Sequence, residues 1–173
     1  MRSQSTNIYL VGPMGAGKTT IGRLLARELE KRFCDSDREI EVRTGVDIPT
    51  IFEYEGEEGF RRRETEVLRD LVALRDVVLA TGGGIVLRPE NHKLLRDHGF
   101  VVYLYCPVEK QVERTARDTH RPLLRTADPK RRLAELLAVR APLYEAVADF
   151  TIDTGECSSR QAVRKIIQAY RDS

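Results

Sequence analysis

Residues Gly12-Pro13-Met14-Gly15-Ala16-Gly17-Lys18-Thr19 fit the pattern G-x-x-x-x-G-K-[ST] with no position forced. The octet follows a short apolar run, Ile8–Val11, and opens an amphipathic stretch carrying Ile21, Leu24, Leu25 and Leu29, so strand, loop and helix are all in place. Glycines let such a loop wrap a phosphate chain with successive N–H groups pointing inward, and the N-terminus of the following helix adds its positive dipole. Gly15, Ala16, Gly17, Lys18, Thr19 and Thr20 are the candidate nucleotide-binding residues. Lys18 can reach the β- and γ-phosphates of a nucleoside triphosphate, and the Thr19 hydroxyl can ligate Mg²⁺.

The apolar runs that follow define the architecture. After a P-loop helix expected over residues 17–32, Phe33-Cys34 forms a brief strand that delivers Asp35 and Asp37 at its carboxyl end, where open α/β sheets bind their ligands. Asp37 is read either as an acid in that crevice or as the N-cap of a short helix ending at Gly45. Asp47-Ile48-Pro49 restarts a helix, and Gly56 and Gly59 are expected to break the chain before another that carries Val67, Leu68, Leu71 and Leu74. Arg61 and Glu64 share a face of that helix, so the glutamate can hold the arginine. Taken alone, the run Arg61-Arg62-Arg63 reads more readily as a solvated face than as a site.

Val77–Ala80 is a third strand, entering Thr81-Gly82-Gly83-Gly84, a loop suited to close approach of backbone to a ligand or to a plain turn. A helix over Pro89–His98, a strand over Phe100–Tyr105, and a helix from Val108 to about Asp118 come next. Residues 118–129 then form an aperiodic, proline-containing loop with unpaired arginines, including Arg121, as expected of a lid. A helix begins at Pro129 and passes through Arg140 and Pro142, where a kink or restart is expected. Phe150–Asp153 is the fifth strand and a helix over Ser159–Tyr170 closes the chain. Five strands alternating with helices predict a parallel sheet covered on both faces, a three-layer α/β/α domain spanning 1–173.

Composition narrows the partners. The 173 residues include 29 Lys and Arg against 27 Asp and Glu, a formal net charge of +2, so no global basic field calls for nucleic acid. Cys34, Cys106 and Cys157 lack metal-ligand spacing, and no apolar stretch has the length of a membrane span. A cytoplasmic protein without membrane or nucleic-acid partners is expected, and a guanine-reading Asn-Lys-x-Asp run is absent. Acids, arginines and a glycine loop across the crevice from the P-loop point to a second, small substrate and to phosphoryl transfer.

In order, the P-loop octet, Asp35-Ser36-Asp37, Gly59-Phe60-Arg61, Gly82-Gly83-Gly84, Arg121-Pro122-Leu123-Leu124 and Arg140-Ala141-Pro142-Leu143-Tyr144 resemble the landmarks of the bacterial shikimate kinases over nearly the whole chain. The resemblance implies a P-loop kinase fold of the nucleoside-monophosphate-kinase type, strand order 2-3-1-4-5, with a lid around Arg121 and a shikimate-binding helical region over about 37–64. It implies transfer of the ATP γ-phosphate to the 3-hydroxyl of shikimate, with Mg²⁺ as cofactor, in a protein expected to be monomeric. Asp35 and Thr19 would hold the metal and Asp37 would orient the acceptor hydroxyl. Arg61, Arg140, Gly83 and Gly84 would bind shikimate, Arg114 would stack on adenine beside the loop near Asp153–Cys157, and Arg121 would act from the lid. A gluconate kinase, a nucleoside-monophosphate kinase and a non-catalytic nucleotide switch are the alternative readings.

Overall fold

Five apolar runs pair as one parallel sheet: β1 (Ile8–Val11), β2 (Arg32–Asp35), β3 (Val77–Ala80), β4 (Phe100–Tyr105) and β5 (Phe150–Asp153), in the order β2-β3-β1-β4-β5. The computed structural model describes residues 5–116 and 126–173. Parallel neighbours need crossovers, and α1 (Lys18–Glu28), α2 (Ser36–Thr44), α3 (Ile48–Val72), α4 (Pro89–His98), α5 (Val108–Thr115), α6 (Pro129–Val147) and α7 (Ser159–Arg171) lie in the connections and after the last strand.

Alternation along the strands sorts side chains into two cores. Tyr9, Val11, Val101 and Tyr103 pack with residues of α3, α4 and α6. Their neighbours Ile8, Leu10, Val102 and Leu104 pack with Ile21, Leu25 and Ala26 of α1 and Val163 and Ile166 of α7. The central strands are therefore apolar on both faces, as a sheet covered on both sides requires. The three-layer expectation and the strand order hold.

Two local expectations are corrected and a third is narrowed. The P-loop helix ends at Glu28 rather than near Arg32: Glu30 turns the chain with φ 54°, and Arg32 already pairs with Val77 in the sheet. Gly56 kinks α3 with φ 71°, but Gly59 sits inside the helix and does not break it. Pro142 lies within α6 without ending it. The register sets the C-terminal ends of β1, β2 and β3 side by side, with Asp35 opposite Ala80 and Leu10 opposite Ala80. The P-loop, the acidic turn and the glycine loop thus leave the sheet along one edge.

Candidate active site

Gly17 takes the left-handed conformation, φ 92°, as the N-cap of α1, a position that favours glycine because a Cβ would be strained there. The first turn of α1 then presents its amides to the loop interior. Lys18 Nζ donates to the carbonyls of Gly12 and Pro13, the latter at 2.9 Å, which puts the ammonium across the loop. Thr19 Oγ1 lies 3.3 Å from Asp35 Oδ2, so a hydroxyl and a carboxylate, both hard oxygen donors, meet beside the P-loop. Among the described residues no cluster of three or more His, Cys, Asp or Glu forms a metal cage.

Two connected hollows open over the loop. One of about 180 Å³ is lined by residues Gly15 to Thr20 with Arg114 and Thr115. The other, about 340 Å³, runs from Gly15, Ala16, Gly17 and Thr20 to Arg114, Thr154, Cys157 and Ser159. The Arg114 guanidinium is fixed between them, donating to the carbonyls of Gly15 at 2.9 Å and Thr154 at 3.0 Å. Loop and β5 are thereby tied through α5.

On the acceptor side, Asp35 is the N-cap of α2: its Oδ1 accepts from the Asp37 and Arg38 amides at 3.0 and 3.2 Å. The capping alternative considered for Asp37 therefore belongs to Asp35, and Asp37 stands in the first helical turn with its carboxylate turned to the glycine loop. A Cβ on Gly82 would lie 2.6 Å from Asp37 Oδ1 and 3.0 Å from Glu64 Oε2; one on Gly83 would lie 3.3 Å from Arg140 Nη1; one on Gly84 would overlap the Arg61 guanidinium. Two carboxylates and two guanidiniums press against the loop, most tightly at Gly82 and Gly84. Ser36 Oγ accepts from the Gly82 amide at 3.1 Å and Tyr144 Oη donates to the Gly83 carbonyl. Among the described residues neither the Gly83 nor the Gly84 N–H finds a protein acceptor.

Of the three consecutive arginines, Arg62 and Arg63 are solvated and Arg61 is buried, 8% exposed. It donates to Glu64 Oε1 at 3.0 Å and Glu57 Oε1 at 3.3 Å. Arg140, 4% exposed, has no ion-pair partner among the described residues, and burial lowers its affinity for its proton, with Arg61 as a further depressing charge. Two guanidiniums that both crowd the glycine loop, one ion-paired and the other not, favour an anionic group between them. Burial pushes the Glu64 carboxyl up to about 7, against the pull of Arg61 and with a push from Asp37.

Lys18, Thr19, Asp35, Asp37, Arg61, Gly83, Gly84, Arg114 and Arg140 thus converge along one edge. Arg121 and most of the 118–129 loop lie outside the described residues; its end, Asp128, caps α6. Sequence reasoning gave no individual role to Ser36 or Tyr144, and placed Thr154 only within the loop near Asp153–Cys157 that borders the base. Ser36 and Tyr144 lay inside motifs already singled out, and a hydroxyl next to a carboxylate or an arginine was the available signal.

A family model described as shikimate kinase matches residues 14–171. The chain is 62% identical over 167 residues to the shikimate kinase of Methylococcus capsulatus, covering 96% of this chain and 93% of that one. A solved shikimate kinase from Acinetobacter baumannii in complex with shikimate superposes with a TM-score of 0.94 at 54% identity, over 96% of this chain and 93% of the other. The shikimate kinase of Aquifex aeolicus gives a TM-score of 0.81 at 37% identity, over 95% and 96%.

Proposed function

The chain belongs to the shikimate kinase family, and from that premise we propose how its own residues carry out the reaction. It is an ATP-dependent kinase that phosphorylates shikimate. The observation that carries the residue assignment is the convergence of Arg61, Arg140 and Asp37 on a glycine loop that leaves the sheet beside the P-loop.

In this reading the P-loop amides, Lys18 and Thr20 cradle the triphosphate, while Arg114 and the Thr154–Cys157 loop flank the base. Arg61 and Arg140 take the shikimate carboxylate, for which a guanidinium offers a two-point match. Gly83 and Gly84 offer amides to the acceptor, and Asp37 accepts a hydrogen bond from the 3-hydroxyl. That oxygen attacks the γ-phosphorus, the bond to the β-phosphate oxygen breaks, ADP leaves, and the hydroxyl proton passes toward Asp37. Thr19 and Asp35 suit Mg²⁺, and the small number of protein oxygens there agrees with an ion held largely by phosphates and water. When bound, the metal neutralises charge on the phosphates. Arg121 is proposed to arrive with the lid and stabilise the transferring group.

The protein is proposed to act as a cytoplasmic monomer without nucleic-acid partners. No described helix is long and apolar enough to cross a membrane. Release of ADP from ATP and Mg²⁺ tests the whole reading: it should depend on shikimate and be absent with gluconate or nucleoside monophosphates. Turnover with either of those, or none with shikimate, would overturn it.

A further inference from the structure

The glycine loop sets a problem that the chain has to solve. Asp37 and Arg61 leave little room for Cβ atoms at Gly82 and Gly84, and Arg140 crowds Gly83, yet three successive glycines are the least ordered backbone available. A peptide plane between two glycines can rotate with little steric resistance, so close approach is obtained at the expense of orientation. The Ile85 and Leu87 amides hold the Gly82 and Gly84 carbonyls at 3.1 Å each, and two side chains fix the remaining groups. Ser36 Oγ accepts from the Gly82 amide at 3.1 Å, and Tyr144 Oη donates to the Gly83 carbonyl.

The second contact reaches further than the carbonyl itself. The Gly83 carbonyl and the Gly84 N–H belong to one planar trans peptide and point in opposite directions, so a bond that fixes one fixes the other. Tyr144 is fully buried, its ring lies 5.0 Å from that of Tyr103, and it follows Arg140 by one helical turn on the same face of α6. Burial holds the phenol protonated, with its pKa pushed up to about 12, so it remains a donor across the working pH range.

We propose that Tyr144 is a positioning residue for the acceptor: it pins the Gly83–Gly84 peptide so that the Gly84 N–H faces the substrate beside Arg61 and Arg140. The inference rests on the assignment of that cradle to shikimate. It gives α6 two linked tasks, supplying one cation and orienting the backbone donor next to it, from positions four residues apart.

Steady-state kinetics on the full chain test it. Tyr144→Phe keeps the ring and its stack and removes the hydroxyl, which donates to the Gly83 carbonyl and also meets the Arg140 guanidinium, so shikimate KM should rise about tenfold, while ATP KM and kcat at saturating shikimate stay within about twofold. Tyr103→Phe, which removes a buried hydroxyl that has no hydrogen-bond partner among the described residues, should leave shikimate KM unchanged. An unchanged shikimate KM in Tyr144→Phe would overturn the proposal. Equal rises for ATP and shikimate, or the same rise in Tyr103→Phe, would also overturn it, because either would signal loosened packing. For independence from variant folding, 3-fluorotyrosine placed at position 144 should show a fluorine resonance that moves with shikimate and not with ATP; indifference to shikimate counts against the pin. A wild-type chain inactive on shikimate would instead overturn the underlying cradle assignment, and the same assay reads this before any variant is made.

Discussion

Replacing Glu64 with glutamine should make stability less sensitive to pH between 4.5 and about 7, by an amount that follows from where the carboxyl sits. Glu64 is 1% exposed; Arg61 holds Oε1, and Oε2 has no hydrogen-bond partner among the described residues. Burial raises its pKa from 4.5 to about 7, Arg61 and Arg140 oppose the rise, and Asp37 adds to it. Because the folded-state value lies above the unfolded one, the stability contribution of the protonated group is fully present below 4.5. It declines as the unfolded chain ionises first, and is lost once pH has risen through about 7. Over those 2.5 pH units, at about 1.4 kcal/mol each, the loss amounts to about 3 kcal/mol. Glutamine has the same shape, keeps an oxygen for Arg61 and cannot ionise. The two proteins should therefore have similar stability near pH 4.5, and the stability of Glu64→Gln relative to wild type should grow by about 3 kcal/mol by pH 8.5. Urea unfolding at half-unit pH steps measures this, since titrations common to both proteins largely cancel in the difference. Stability–pH curves that run parallel would refute the reasoning.

Lys18→Ala should abolish phosphoryl transfer and leave the thermal melt unchanged, because the ammonium serves carbonyls and phosphates rather than the core; ADP release and circular dichroism read the two halves. Arg61→Lys keeps charge but loses the planar fork that spans Glu57 and Glu64, so shikimate binding should weaken by roughly 1–3 kcal/mol, measured as KM or by calorimetry. Arg121→Ala should lower kcat by orders of magnitude and leave shikimate affinity without nucleotide nearly unaltered, the pattern of a cation that acts at the transition state; loss of shikimate binding with kcat intact would make it a substrate clamp instead.

Four of the strands were legible because short apolar runs that give way to glycine or proline leave few alternatives, and β2 was legible from the acids it delivers, whereas their order followed only from the family resemblance. What escaped depended on partners distant in sequence. The end of α1 carries no glycine or proline; Arg32 leaves the helical pattern because Val77 pairs with it, 45 positions later. Gly59 read as a breaker because a local rule ignores the rest of the helical stretch that follows the kink at Gly56 and packs through Phe60, Val67 and Leu68. Arg61 could not be separated from Arg62 and Arg63 by charge pattern, since only burial distinguishes them. Asn7 gave no signal at all, yet it joins β1 to the Leu74 carbonyl at 2.7 Å and the Val77 amide at 3.1 Å. In the site, residue types announced the chemistry, but which oxygen caps a helix and which faces a ligand is decided by the backbone around it.

Asp35 places one carboxylate between two binding events. Its Oδ1 closes the first turn of α2, the turn that carries Asp37, while its Oδ2 leans toward Thr19 on the P-loop helix. A cation held at Oδ2 would compete for the electron density that Oδ1 lends to the Asp37 amide, so filling the nucleotide side would alter the work of ordering the acceptor side. Thermodynamic reciprocity fixes the rest: whatever factor the metal–nucleotide complex applies to acceptor affinity, the acceptor must apply to the metal–nucleotide complex, with a three-residue turn as the shared lever.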